Sequence, residues 1–217
     1  MQRPENHHPQ LNLLLVLLIL LSACGGQVDS PEATASSLES KEKVSADPAV
    51  IIRERFQEID GWLKQADLSM DSMEYDCPDD PTGGRISFFR KAGELVMIKH
   101  DYYQGDHFGA TESYYLIDEK PVFIHLTEES WTFAGPEGSD PTVPNTQDNI
   151  SEFRFYLNSG QEPLNCLRKD YVLRSWIELP TNPNEVPNKT IECGDKVTTS
   201  MEHFGFLING MSPFSGC

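Results

Sequence analysis

The sequence predicts an α+β domain in which an N-terminal amphipathic helix packs on an antiparallel meander sheet, with a second helix near the C-terminus. Three observations carry this. Ile52, Phe56, Ile59, Leu63 and Ala66 recur at helical spacing. From about residue 86 the apolar period changes to two, in short runs separated by turns of hairpin length. Near the end, Val197, Met201, Phe204 and Ile208 return to helical spacing.

The chain begins with its only long apolar run, nine unbroken residues from Leu13 to Leu21. That is far short of the roughly 20 residues a membrane-spanning helix needs. A polar start carrying Arg3, the apolar run, and small residues at Ser22 and Ala23 have the layout of a secretory signal. Leu21-Ser22-Ala23-Cys24 resembles the lipobox of bacterial lipoproteins, the tetrapeptide read by the lipoprotein signal peptidase. The resemblance implies removal of residues 1–23 and acylation of Cys24 as the first residue of the mature chain. It also implies a cell-envelope location. Gly25, not being Asp, resembles the outer-membrane sorting pattern.

Residues 24–46 follow as a tether. From Gly25 onward they are small and polar, and as a flexible coil they reach roughly 25 Å. The folded domain is expected over 47–217. Asp47 is placed to cap the helix at 48–66, with Pro48 at its first position. After the turn-rich "DCPDDPTGG" come the strands, as three related hairpins: "SFFRKAGELVMI", "SYYLIDEKPVFI" and "RFYLNSGQEPLN". Each has an aromatic pair, a short turn and a return segment; Pro163 weakens the return of the third. The repeat resembles the aromatic hairpins of MORN-like proteins, without their regular glycines. The whole layout resembles the β-rich lipoproteins of Bacteroidetes and similar bacteria, a resemblance that implies no particular activity.

Residues 135–149 are read as a long loop and "LPTNPNEVPN" as a second irregular stretch. Asp195 is the expected cap of the last helix, and a strand at "FGFLI" is the competing reading.

Composition narrows the partners. The formal net charge is −17, unchanged by loss of a signal segment carrying one Arg and one Glu. Nucleic acid and anionic lipid would both be repelled. Apart from Cys24, the four cysteines Cys77, Cys166, Cys193 and Cys217 suit two disulfides in an exported chain. Cys166 with Cys193 is the favoured pairing, since they bracket the shortest excursion between expected elements.

Chemistry-bearing groups are sparse. His100, Asp106 and His107 are candidate metal ligands, weighed against ordinary strand and turn positions. Asp76, Asp79 and Asp80 do not alternate as an EF-hand loop requires. His125, four residues before Glu129, reads as a cross-strand packing residue, and Glu152 with Arg154 as a structural ion pair. Tyr102, Tyr103, Tyr114 and Tyr115 could stack on carbohydrate, although core packing is the commoner use. "GMSPFSG" is not the G-x-S-x-G elbow, and no zincin, P-loop or dinucleotide motif occurs. No cofactor is expected. A non-catalytic envelope lipoprotein contacting a protein or glycan ranks first, ahead of a ligand- or metal-binding lipoprotein and a hydrolase.

Overall fold

The computed structural model describes residues 47–217 except 139, 141 and 143. The expected signal peptide, the lipobox with Cys24, and the tether lie outside the described residues. Helix α1 spans Pro48–Lys64, and the strands follow as β1 Ser69–Asp76, β2 Thr82–Lys91, β3 Glu94–Gln104 and β4 Phe108–Ile117. Then come β5 Lys120–Phe133, β6 Thr146–Leu157, β7 Pro163–Arg174, β8 Lys189–Ile191 and helix α2 Asp195–Leu207. The eight strands form one antiparallel sheet in chain order. No helix among the described residues is long and apolar enough to cross a membrane.

Each central strand serves two cores, because successive side chains leave opposite faces of a sheet. Ile98, Tyr114, Ile124 and Phe155 pack with Val197, Phe204 and Leu207 of α2. Their sequence neighbours Met97, Tyr115 and Phe123 pack with Ile52 and Ile59 of α1. Burying each of those isoleucines contributes about 1.5–3 kcal/mol. Asp47 caps α1 as expected, its carboxylate accepting from the Ala49 amide at 3.0 Å.

The three expected hairpins are β2–β3, β4–β5 and β6–β7. Each shifts register immediately after the third residue of its repeat, at Phe89, Tyr115 and Tyr156. The first two turns are tight, with positive φ at Ala92 and Gly93 and at Asp118 and Glu119, the conformation that matches the strand twist. Pro163 does not weaken the third return strand. It opens that strand, where a missing amide hydrogen is tolerated.

Several expectations are corrected. Ser69–Asp76 is an edge strand not read from the sequence, because it is exposed along most of its length and lacks apolar alternation. Its acidic side chains suit an edge that must not pair with another chain. The long loop is shorter than 135–149, since polar Thr146–Asn149 still ladder with Phe133–Ser130 through backbone groups. Gly194 rather than Asp195 is the cap residue of α2, and Asp195 lies in its first turn, where negative charge complements the helix dipole. The strand alternative at "FGFLI" falls, because those residues continue α2 with Phe204 and Leu207 buried.

Disulfides join Cys166 to Cys193 and Cys77 to Cys217. The second closes 140 residues of chain, and bridges of this kind typically contribute about 2–5 kcal/mol.

Ile59 is fully buried, whereas Lys64 is exposed and, among the described residues, pairs only with Asp60. Ile59→Ala is expected to cost about 2–5 kcal/mol, and Lys64→Ala less than about 0.5 kcal/mol. Denaturant unfolding separates them; equal small losses would detach α1 from the folding unit.

Candidate functional site

Two arrangements stand out, one on each face of the sheet. Beneath α2, the Glu112 side chain is 1% exposed yet carries a carboxylate. Register places His100 of β3 directly opposite it. Glu112 accepts from His203 Nδ1 at 3.0 Å, from Ser200 Oγ at 3.1 Å and from His100 Nδ1 at 3.5 Å. The Tyr114 hydroxyl lies 2.9 Å from both Glu112 and the Ser200 carbonyl, sharing one proton between two acceptors. On the far side of His100, Nε2 accepts from the Tyr75 hydroxyl at 2.7 Å.

Burial alone would raise the Glu112 pKa. Hydrogen bonds from His100, His203 and Tyr114, with the nearby His203 charge, outweigh it and lower the value to about 2. Burial pushes Tyr75 up to about 12, so its phenol stays protonated. The order Tyr75, His100, Glu112 has the connectivity of a proton relay. However, Phe214 packs against Tyr75, Tyr102, His100 and His203, and no buried side-chain polar atom among the described residues lacks a partner. A satisfied network packed against an aromatic ring holds elements together, and Tyr75 and Tyr102 also line a concavity at the surface.

The opposite face is open. Between the start of α1 and strands β5–β7 lies a groove of about 570 Å³, floored by Ile52, Phe56, Phe123, Tyr156, Leu164 and Leu167. Arg53, His125 and Arg154 line its polar side. Behind them the buried Glu152 accepts from Arg154 at 2.9 Å, Lys169 at 3.0 Å, Tyr171 at 3.0 Å and His125 at 3.2 Å. Burial opposes the Glu152 charge, but bonds from Lys169, Tyr171 and His125 prevail and lower its pKa. His125 is shifted down, first by burial and then by the Arg154 charge. A second, shallower concavity of about 600 Å³ has the opposite character, with Glu74, Asp76, Asp101 and Glu129 set against Arg85.

The sequence-derived candidates separate. His100 is sealed beside Glu112, whereas Asp106 and His107 sit in the β3–β4 turn, and His107 Nδ1 donates to the Trp131 carbonyl at 3.0 Å. Four strand residues keep the two histidines apart, so the proposed trio does not assemble. No group of three or more His, Cys, Asp or Glu among the described residues is placed to hold a metal. Asp76 accepts from Tyr103 and Asp80 from Thr82, so the acidic turn spends these carboxylates separately. The four tyrosines form no common platform, since neighbours on a strand face opposite ways and Tyr114 and Tyr115 are both buried. Glu152 and Arg154 do pair. His125 of β5 bonds across to Glu152 of the neighbouring strand β6, in keeping with its cross-strand reading.

Glu112, Ser200 and His203 went unread. A signal was present for the first of them: the "QGDH" turn folds β3 on β4 and carries His100 onto Glu112. Nothing local marks the partners from α2. No family model, curated protein or solved structure matches the chain.

Lowering a carboxyl pKa on folding adds stability above the unfolded value and withdraws it as pH falls toward the folded one. The hold of Glu112 on α2 should therefore fade between about pH 4.5 and pH 2. Glu112→Gln is expected to cost about 1–3 kcal/mol at pH 7 and to flatten that part of the acid-unfolding curve. An unchanged curve, followed by near-ultraviolet circular dichroism, would remove Glu112 from this role.

Proposed function

We propose that the chain is a lipid-anchored envelope protein whose folded domain binds a small ligand without transforming it. The observation that carries the binding reading is the groove beside α1, a concavity with an apolar floor and a few polar groups on one side, as ligand sites commonly have. The Leu21-Ser22-Ala23-Cys24 lipobox supports the anchor, and the two disulfides fit an oxidising compartment. On this reading α1 serves as an amphipathic lid-like wall on the sheet, with the tether leading from it to the membrane.

A second reading, contact with a glycan or protein, has one observation in its favour. Phe133 is 69% exposed, its ring 5.2 Å from that of Trp131, which in turn lies 4.0 Å from His107. Exposed aromatic edges of this kind suit stacking on a sugar ring.

Cys24→Ala is expected to abolish metabolic labelling with a fatty acid and to move the protein out of the membrane fraction. Label retained at the wild-type level would remove the anchor. For the domain, Leu167→Trp should fill the groove and eliminate any small molecule that co-purifies with the wild-type protein in native mass spectrometry. The same adduct on both proteins would place binding elsewhere.

A further inference from the structure

We propose that the groove beside α1 takes an anionic amphiphile, a single acyl chain ending in a carboxylate, with the chain on the apolar floor and the head toward Arg53 and Arg154. This rests on the ligand-binding reading above and gives it a chemical class. Three features point the same way. The volume, about 570 Å³, lies within the range of roughly 300–1,000 Å³ that encloses small ligands. The floor offers Ile52, Phe56, Phe123, Tyr156, Leu164 and Leu167 but few polar groups, which favours a chain over a sugar or nucleotide.

The third feature is charge. Arg154 and Lys169 share the single carboxylate of Glu152, so two basic side chains meet one acid in the cluster behind the groove. Arg53 lines the same groove and has no side-chain ion-pair partner among the described residues. Asp47, the one acidic residue of the lining, already spends an oxygen on the Ala49 amide at the cap of α1. In a chain of net charge −17 this is a local reversal of sign, and the neighbouring concavity keeps the acidic character. An anion is therefore drawn to the groove and repelled from the adjoining surface. A guanidinium also offers paired N–H donors that match a carboxylate.

The test uses the full-length acylated protein in nanodiscs of neutral phospholipid, with a diazirine-bearing twelve-carbon carboxylate as probe and the corresponding alcohol as its uncharged match. After irradiation, peptide mapping should find the acid on groove residues such as Phe123, Tyr156 and Leu164, at least tenfold above the alcohol. Arg53→Gln with Arg154→Gln should remove that preference while the alcohol still labels the groove, showing that the fold survives. Leu167→Trp should block both probes. Unlabelled twelve-carbon carboxylate should compete with the acid probe and an anionic phospholipid should not; competition by the phospholipid would overturn the single-chain carboxylate class. Equal labelling of the groove by acid and alcohol would overturn the anionic class and leave the binding reading intact. Labelling of the groove by neither probe would overturn both.

Discussion

The hydrogen-bonded carboxylate of Glu112 is the constraint around which one half of the domain is organised. A buried charge is tolerated only when several donors replace the water it has lost. Here the donors come from β3, from β4 itself and from α2, so meeting that requirement fixes where α2 lies along the sheet. Tyr114 adds a bond from its hydroxyl and an aromatic contact to Phe204 at 5.4 Å, joining polar and apolar packing in one residue. The remainder of that core can use nondirectional contacts because this one point is directional.

On the other half the buried carboxylate of Glu152 takes its donors from β5, β6 and β7, and none of those donors belongs to α1. Helix α1 is held by Ile52 and Ile59, by Phe56 edge-on to Phe123, and by Arg55, which donates to the Leu116 carbonyl at 2.7 Å. Its packing covers the sheet near the tight turns and leaves a groove toward β7. That difference places the open, chemically mixed surface on the face of α1 and the closed, fully satisfied network on the face of α2.

Much of this architecture was legible because it is local. The cap at Asp47 followed by Pro48, the two turns at residues 92–93 and 118–119, and the aromatic pairs are each decided within a dozen residues. The bridge from Cys166 to Cys193 was readable for a similar reason, being a short excursion. What escaped is nonlocal or rests on backbone alone. Ser69–Asp76 forms an edge by laddering with β2, although its side chains give no alternating pattern. Glu112 meets Ser200 and His203 across 88 and 91 residues, separations over which composition carries no signal. His100 was noticed for its imidazole, but only strand register shows that its partner is a carboxylate and not the turn beside it.

The alternation of side chains along the central strands has a mechanical consequence. Met97 and Ile98, Tyr115 and Tyr114, and Phe123 and Ile124 are covalent neighbours that belong to different cores. A strand therefore cannot slide by one residue to ease one layer without driving the other layer's side chains to the wrong side. The sheet acts as a shared rack engaged by teeth from above and below, so a load arriving through α1 reaches α2 along the same backbone that separates them.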